Sequence, residues 1–305
     1  MHDPFPFSAP PRWQHTLGKT VPCEGIGLHT GIEVRLSLGP APADAGLVFM
    51  RKDGPHRSAS IALHPRAVCQ TRRGTSIGNV DGVTLATTEH LLAALAACGI
   101  DNAVIEVSGP EIPAMDGSAL AFATLIKEAV PVSQNIPRRY IEVLKAITCL
   151  DGNRQVSLKP STIPKISARI DYPDTLIGEQ SYHFDVTATG FIKDIAPART
   201  FALAHEIKGL KEAGLALGGS LDNCILVDGM TIQNPDNLRF YDEFVRHKIL
   251  DILGDLALAG APVLGHFISD CAGHSLNNTL IRTLMDDPDA WRWKTFTESP
   301  DKTTL

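Results

Sequence analysis

A repeated order of predicted elements constrains the fold of this chain more than any other feature. In each half, strand-like segments precede a helix that carries a histidine and ends at a glycine, and another strand follows. The first copy comprises residues 33–41, 47–51, 90–99 and 103–107, and the second comprises residues 140–161, 166–170, 247–260 and 263–268. We interpret the repeat as a diverged duplication. It predicts an α+β chain with two similar sheet-on-helix domains that form a β-α-α-β sandwich, which would bring His90 close to His247.

The length of 305 residues accommodates two domains that each bury a core. A segment rich in proline and polar residues separates the two copies of the repeat and is predicted to be a linker. The predicted divisions are a flexible N-terminus at 1–12, a first α/β domain at 13–130, the linker at 131–138, a second α/β domain at 139–286 with an insert at about 198–227, and a C-terminal tail at 287–305.

Composition excludes several classes of protein. Hydrophobic residues make up 44% of the chain and charged residues 20%, which is typical of a folded globular protein. The net charge of −6, without a basic block, argues against nucleic acid as a partner but permits a small anionic ligand. The six cysteines are scattered without a C-x-x-C pair, which argues against a zinc ribbon or a dense disulfide framework. We find no signal peptide and no apolar run of about 18 residues, so we expect a cytoplasmic protein without a transmembrane segment.

The helix predicted at 244–260 carries polar residues on one face. His247, Asp251 and Asp255 are spaced four residues apart, so their side chains share that face, and Lys248 lies beside them. A histidine and a carboxylate four residues apart can bind one metal ion. The spacing alone favours the alternative, which is the solvated polar face of an amphipathic helix.

In the helix predicted at 84–99, Thr87 and Thr88 precede the apolar run, where we expect them to act as caps, and Glu89 and His90 follow them. The helix dipole favours a carboxylate and disfavours an imidazolium in the first turn, which would keep His90 neutral and able to bind a metal. Ordinary capping by Glu89 is the alternative. His274 is predicted in a turn before a third helix, where Asp255 could orient it.

Two further segments contain several glycines. Residues 25–31 are not a phosphate-binding P-loop because no helix follows them directly. Residues 198–220 are apolar at helical spacing but contain several glycines. This pattern favours a surface helix with a flexible loop, and the alternative is an apolar passage for a hydrocarbon ligand.

Several motifs together resemble one family. They are Thr87-Thr-Glu-His-Leu-Leu-Ala-Ala-Leu, Ile112-Pro-Ala-Met-Asp-Gly-Ser-Ala, Phe244-Val-Arg-His-Lys-Ile-Leu-Asp and Gly273-His-Ser-Leu-Asn-Asn, with further similarity at residues 25–31 and 198–201. The chain thereby resembles the UDP-3-O-acyl-N-acetylglucosamine deacetylases, which catalyse the committed step of lipid A synthesis. The resemblance covers residues 14–284. It implies two α/β domains with the active site between them and a UDP-linked acylated amino sugar as substrate, and we expect a monomer.

The resemblance also implies roles for individual residues. One Zn²⁺ per chain would be bound by His90, His247 and Asp251. Glu89 would be the general base, and His274, held by Asp255, would be the general acid or an electrostatic partner, so that Glu89 either shares the proton transfers with His274 or carries both. Thr200 and Lys248 would assist at the reacting carbonyl. The residues expected to bind substrate, mainly along the acyl chain, are Phe201, Ala204, Ile207, Leu217, Gly219, Ser220, Leu28 and His29.

One departure and two alternatives accompany this interpretation. Gly74 stands where several relatives have a cysteine near the metal, so a regulatory metal–thiol contact is not expected here. A zinc protease is disfavoured because the chain lacks H-E-x-x-H. A non-enzymatic acyl-binding protein would be expected to lack one of Glu89, His90, His247 or Asp251, and all four are present. The sequence does not specify the preferred acyl-chain length.

Overall fold

The computed structural model describes residues 11–53 and 59–296 and is a mixed α+β structure with several sheets. Residues 1–10 of the predicted flexible N-terminus and residues 297–305 of the predicted tail lie outside the described residues. The helices are α1 (Glu89–Ala97), α2 (Leu120–Glu128), α3 (Ala188–Gly190, continued by a π-helical turn at Phe191–Ile195), α4 (Ala204–Glu212), α5 (Glu243–Ala257) and α6 (His274–Asp286), and a 3-10 turn occupies Pro65–Ala67. None of the helices in the described ranges is long and apolar enough to span a bilayer.

One or more strands lie between consecutive helices along the chain. The strands of the first half are β1 (Trp13–Leu17), β2 (Val21–Ile26), β3 (Glu33–Pro40), β4 (Leu47–Arg51), β5 (Ala59–Ala62), β6 (Val68–Gln70), β7 (Ser76–Gly78), β8 (Thr84–Leu85), β9 (Ala103–Val107) and β10 (Pro131–Pro137). Those of the second half are β11 (Tyr140–Val143), β12 (Ile147–Asp151), β13 (Arg154–Pro160), β14 (Lys165–Tyr172), β15 (Gly178–Asp185), β16 (Phe201–Leu203), β17 (Ile225–Asp228), β18 (Thr231–Ile232), β19 (Val263–Asp270) and β20 (Trp291–Lys294).

The main sheets of the two halves have the same pairing pattern. In the five-stranded sheet, β2, β3 and β9 are antiparallel neighbours, β9 pairs with β4 in parallel, and β4 pairs antiparallel with β5. In the seven-stranded sheet, β12, β13, β19, β14 and β15 repeat these pairings in the same order, and β11 and β20 extend it. The order of elements repeated in the sequence is therefore repeated in the strand pairing. The remaining strands form a β6-β7-β8 sheet and a β16-β17-β18 sheet.

Two segments predicted to lie outside the domains contain paired strands. The predicted linker at 131–138 contains β10, which pairs antiparallel with β1. Its prolines stand at the ends of a strand in a two-stranded sheet, where a missing N–H is tolerated. Arg138, which follows, is buried, and its Nε donates to Asp101 Oδ1 at 2.7 Å. In the predicted tail, β20 pairs antiparallel with β11 and so belongs to the second sheet.

Helices α1 and α5 pack against each other, and this contact joins the two halves. The crossing is close at Gly254, where a side-chain methyl would collide with the backbone of Glu89. Helix α5 also packs on β14 and β15, while α6 packs on β12 and β13. The two predicted helices at 84–99 and 244–260 are confirmed as α1 and α5 with shorter bounds, and residues 84–85 form β8 instead.

Most of the buried apolar side chains belong to one cluster that includes residues of both halves. In β3, Val34, Leu36 and Leu38 are buried at every second position, as expected for a strand with one face on the core. Phe49 of the first sheet and Phe267 of the second are fully buried members of the same cluster. The helices that carry the histidines therefore lie in a continuous core.

Candidate active site

The polar face of α5 is buried rather than solvated. His247, Asp251 and Asp255 are 2%, 5% and 1% exposed, although each is polar or charged. Burying such groups is unfavourable unless they are paired, hydrogen-bonded or bound to a metal. The structure therefore excludes the solvated face that the spacing alone had favoured.

His90 at the start of α1 meets His247 and Asp251 of α5. One ligand atom from each of the three residues lies within 4.8 Å of the others. Asp251 Oδ1 is 3.6 Å from His90 Nε2 and 3.3 Å from His247 Nε2, and the two rings meet edge to face with centroids 4.9 Å apart. Two imidazoles and a carboxylate at this separation are a donor set that can hold a metal ion. We call these three residues the metal side of the site.

His247 is neutral and has a defined orientation. Its Nδ1 lies 3.1 Å from the carbonyl oxygen of Ala198, and because a carbonyl can only accept, Nδ1 carries the proton. This leaves the Nε2 lone pair directed toward Asp251 and His90. Burial lowers the pKa of His247 to about 3, an effect that the carboxylate of Asp251 does not offset.

Lys248 contacts the metal side through Asp251. Its Nζ donates to Asp251 Oδ2 at 2.9 Å, which leaves Oδ1 for the histidines. Burial opposes the ionisation of Asp251, but the charge of Lys248 holds the pKa of that carboxyl well below its usual value. Burial likewise opposes the charge on Lys248, and the Asp251 carboxylate nevertheless raises the pKa of the lysine. Both groups are therefore ionised at neutral pH.

Glu89 lies on the other side of the site, at the first position of α1. It is buried, its Oε2 accepts a hydrogen bond from Thr75 N at 3.0 Å, and its Oε1 is 3.8 Å from His274 Nε2. Burial raises the pKa of Glu89 above its ordinary value, although the charge of His274 opposes this effect. A carboxylate with a raised pKa is suited to accept a proton near neutral pH. Gly74 adjoins it, since a Cβ at that position would lie 2.9 Å from Glu89 Oε1.

His274 is paired with a carboxylate and is therefore protonated. It is the first residue of α6, not part of a preceding turn as predicted, and its Nδ1 lies 2.8 Å from Asp255 Oδ2. Burial alone would lower the pKa of His274, but the charge of Asp255 and its hydrogen bond raise it to about 10. The predicted orientation of His274 by Asp255 is thus present in the structure. We call Glu89, His274 and Asp255 the proton side of the site.

Two residues that sequence reasoning missed also hold Asp255. Thr75 Oγ1 donates to Asp255 Oδ1 at 2.6 Å, and Asn277 Nδ2 donates to Asp255 Oδ2 at 2.9 Å. Asn277 belongs to the Gly273-His-Ser-Leu-Asn-Asn motif, and its proximity to His274 in that motif could have indicated a role in the site. Thr75 lies in a short loop without periodicity and gave no such signal.

The threonines before α1 do not cap it in the predicted way. Thr88 is at the N-cap position without a side-chain capping bond, and its Oγ1 instead donates to Thr75 O at 3.1 Å. Thr87 has a positive φ of 56°, and its Oγ1 donates to the buried Glu111 at 2.7 Å. The threonines therefore attach the start of α1, with Glu89 and His90, to neighbouring loops.

Residues 200 and 201 enter from β16 and the segment just before it. The Thr200 backbone N–H donates to Gly117 O at 2.8 Å, and its hydroxyl has no hydrogen-bond partner among the described residues. The Phe201 ring lies edge to face with that of His247 at 6.4 Å, and Lys248 Nζ is 5.4 Å from the Phe201 ring centroid. The segment therefore adjoins the metal side.

The rest of the predicted insert contacts the glycine loop at 25–31. Leu217 N donates to His29 O at 3.1 Å, Gly218 N donates to Leu28 O at 3.1 Å, and a Cβ at Gly218 would collide with the loop backbone. Both ring nitrogens of His29 are hydrogen-bonded, Nε2 to Arg73 O at 3.0 Å and Nδ1 to Ala216 N at 3.3 Å. The glycines therefore permit close packing between loop and insert.

The remaining predicted substrate residues lie along the same insert. Ala204 and Ile207 are half-buried on α4, and Leu217, Gly219 and Ser220 are exposed in the turns that follow it. A bidentate ion pair between Arg73 and Glu206, 2.6 Å at its shortest, joins α4 to the loop beside Gly74. The insert is thus attached to the first half both by this ion pair and by its hydrogen bonds to the loop at 25–31.

Comparison with known proteins identifies the family. A family model described as LpxC, UDP-3-O-acyl N-acetylglycosamine deacetylase, matches residues 14–286. The chain belongs to this family. It is similar to UDP-3-O-acyl-N-acetylglucosamine deacetylases of Phenylobacterium zucineum (46% identical, covering 94% of this chain and 98% of the relative), Myxococcus xanthus (46%, covering 91% and 88%) and Shewanella oneidensis (42%, covering 95% and 95%). The match includes every predicted site residue and confirms the family predicted from the motifs.

Proposed function

We propose that this deacetylase is a zinc-dependent amide hydrolase that removes the N-acetyl group of UDP-3-O-(3-hydroxyacyl)-N-acetylglucosamine. The products are UDP-3-O-(3-hydroxyacyl)-glucosamine and acetate, and the reaction is the committed step of lipid A biosynthesis. The observation that carries the proposal is the buried group of His90, His247 and Asp251, adjacent to Glu89 and His274, in a member of this family. Neither a zinc protease nor a non-enzymatic binding protein accounts for both the buried residue group and the family membership.

The metal side fits Zn²⁺ by its chemistry. Two neutral imidazoles and one carboxylate are typical ligands of a catalytic zinc, which keeps one position open. Lys248 occupies Asp251 Oδ2, and the Ala198 carbonyl occupies His247 Nδ1, so the remaining donor atoms face a common point. A zinc ion bound there would supply Lewis acidity to the acetamide carbonyl and lower the pKa of water.

The proton side is proposed to manage the protons of the hydrolysis. Glu89 would accept a proton from the attacking water, because its raised pKa makes it a stronger base than an exposed carboxylate. His274, protonated with a pKa of about 10, would donate a proton to the departing amine or stabilise negative charge. Asp255 would keep His274 protonated and oriented. Glu89 could also carry the second transfer, because its Oε1 lies close to His274 Nε2.

Thr200 and Lys248 are proposed to stabilise the oxygen that becomes negative during the reaction. The Thr200 hydroxyl, which has no hydrogen-bond partner among the described residues, and the Lys248 ammonium group are both donors suited to an oxyanion. One such donor typically contributes about 3–4 kcal/mol to transition-state stabilisation. Lys248 could equally contact the diphosphate of the substrate, since both are anions.

The acyl chain is proposed to lie along the insert at 198–227. The residues proposed to bind substrate are Phe201, Ala204, Ile207, Leu217, Gly219, Ser220, Leu28 and His29. The contact between the insert and residues 25–31 supports this assignment because it makes one wall from both segments. The shape of that wall would set the preferred chain length.

The proposed architecture is a β-α-α-β sandwich of two domains, at 13–130 and 139–286, with the active site between them. The repeated strand pairing and the α1–α5 contact support it. We further propose a cytoplasmic monomer that binds its UDP-linked amino-sugar substrate and no nucleic acid.

A direct test measures the metal content and acetate release of the purified full-length protein. We expect about one zinc per chain and release of acetate from UDP-3-O-acyl-N-acetylglucosamine. Chelation should abolish acetate release, and added zinc should restore it. A protein that holds no zinc after gentle purification, and releases no acetate when zinc is added, would contradict the proposal.

A further inference from the structure

The polar face of α5 begins one turn earlier than its spacing first indicated. Glu243, the first residue of the helix, is four residues before His247 and is fully buried. Its Oε1 accepts hydrogen bonds from Arg199 N at 3.0 Å and Arg199 Nε at 2.9 Å. Its Oε2 accepts from Arg239 N at 2.6 Å and Arg199 Nη2 at 3.2 Å. The carboxylate is therefore fully paired, and none of its partners is a predicted site residue.

The bond to Arg199 N connects Glu243 to His247 through a single peptide group. The N–H of Arg199 and the carbonyl of Ala198 belong to the same peptide unit. Its N–H donates to Glu243, and its carbonyl accepts from His247 Nδ1 at 3.1 Å. A carboxylate and an imidazole thus hydrogen-bond to opposite ends of one peptide.

Hydrogen bonds in such a chain polarise one another, and a bond to a carboxylate is stronger than one to a neutral acceptor. Negative charge at Glu243 draws the N–H proton and increases the electron density on the Ala198 oxygen. That oxygen becomes a better acceptor for His247 Nδ1–H. Metal-binding histidines commonly donate their second nitrogen to a carboxylate or a carbonyl, which fixes the tautomer and strengthens the ligand. Here His247 donates to a carbonyl, and the N–H of the same peptide donates to a carboxylate.

We propose that Glu243 is a positioning residue for His247 that acts through the Ala198–Arg199 peptide. It fixes the Nδ1–H tautomer, aims Nε2 at Asp251 and His90, and increases the affinity of the metal side for zinc. The inference rests on the proposed function only in naming zinc as the ligand. The tautomer can be measured in metal-free protein.

The effect of the Glu243 charge can be tested while the conformation of the backbone at residues 196–200 is kept. Other bonds hold the same segment: Ala119 N donates to Ala196 O at 3.0 Å, Arg239 Nη1 to Pro197 O at 2.8 Å, and Thr200 N to Gly117 O at 2.8 Å. A Glu243→Gln variant keeps an amide oxygen that can accept from Arg199 N, so it removes the charge and leaves these three bonds. It also leaves the Arg199 guanidinium buried without a carboxylate, which destabilises the protein.

Asp242→Asn is the matched control for that destabilisation. Asp242 is 3% exposed, adjoins Glu243, and accepts from Arg246 Nε at 2.6 Å. It makes no hydrogen bond to the Ala198–Arg199 peptide among the described residues. Its substitution therefore also unpairs a largely buried arginine, but it leaves the path to His247 intact.

The experiment compares wild type, Glu243→Gln and Asp242→Asn at full length. Zinc affinity is measured by competition with a chelator, and the His247 ring nitrogens and the Arg199 amide are observed by NMR in metal-free protein. We expect Glu243→Gln to weaken zinc binding by about tenfold, to move the Arg199 amide proton upfield, and to change the Nδ1 shift of His247. Asp242→Asn should alter none of these three values.

The inference would be overturned by unchanged zinc affinity and unchanged His247 shifts in folded Glu243→Gln. Equal weakening in Asp242→Asn would also overturn it, because the effect would then come from general destabilisation. If Glu243→Gln does not fold, wild type still decides: an Nε2–H tautomer of His247 in metal-free protein contradicts the proposal, and an Nδ1–H tautomer with a downfield Arg199 amide supports it. Absence of deacetylation, by contrast, would refute the proposed function alone.

Discussion

The metal side and the proton side both include residues of α1 and α5, yet the histidines His247 and His274 have opposite charge states. The side chain of His247 is buried and that of His274 is largely buried, at 2% and 12% exposed. His247 donates to a peptide carbonyl and has a pKa of about 3, whereas His274 donates to Asp255 and has a pKa of about 10. Burial acts in the same direction on both rings, so the partner at Nδ1 decides the outcome. The neutral carbonyl at Nδ1 leaves His247 uncharged and able to bind a metal, whereas the carboxylate at Nδ1 keeps His274 protonated.

The largest effect is expected from the metal side. His247→Ala should lose bound zinc and reduce acetate release by at least about 10⁴-fold, because the metal contributes several kcal/mol and each 1.4 kcal/mol is tenfold. Metal analysis and a coupled acetate assay measure both quantities. Retention of stoichiometric zinc in this variant would show that His247 does not belong to the metal side.

Glu89→Gln tests whether the two sides are separable. The substitution preserves the shape of the side chain but removes the proposed general base, so turnover should fall by about 10²–10⁴-fold. Zinc content should equal that of wild type, because Glu89 is not one of the three grouped donors. Full activity in this variant would refute the general-base role, and loss of zinc would show that the sides are not separate.

Asp255→Asn tests the cause of the raised His274 pKa. Because the protonated ring is proposed to be the active form, we expect wild-type activity to decline as the pH rises through about 10, the pKa of His274. Without the carboxylate this decline should move to lower pH, and turnover near pH 8 should fall by roughly 10–100-fold, part of a general-acid contribution. The acidic limb reports Glu89, which must be ionised, and should lie above the ordinary value of 4.5. A pH–rate profile of kcat/KM that matches wild type would refute this explanation.

Gly254→Ala should affect the metal side and the proton side together, and the loss of activity should be smaller than in the three variants above. The added methyl would collide with the Glu89 backbone where α5 crosses α1. We expect a loss of about 1–3 kcal/mol in the free energy of unfolding, with reduced zinc affinity and turnover. Gly209→Ala on α4 is the control, because a Cβ there meets no atom within 4 Å, and helix propensity should leave it neutral or slightly stabilised. Equal stability of the two variants, measured in denaturant, would contradict a tight crossing.

Periodicity predicted the elements and the shared face of His247, Asp251 and Asp255, because these follow from helix geometry alone. It could not show that the face is buried, since burial depends on α1, which is distant in the sequence. Thr75 was missed because its bond to Asp255 spans 180 residues and no local pattern marks it. The strand β10 was predicted as a linker because its prolines are typical of linkers, and only its pairing with β1 explains why they are tolerated.

The continuous apolar cluster has a consequence for how the protein responds to heat or denaturant. Because one buried apolar cluster includes residues of both halves, we expect both halves to unfold in one cooperative transition. Zinc would bind residues from α1 and α5, and hence only the state in which both halves are folded. Saturating metal should therefore raise the midpoint of that whole transition, by an amount that grows with the logarithm of free zinc. In this sense a single ion would act as a ligand of the entire fold.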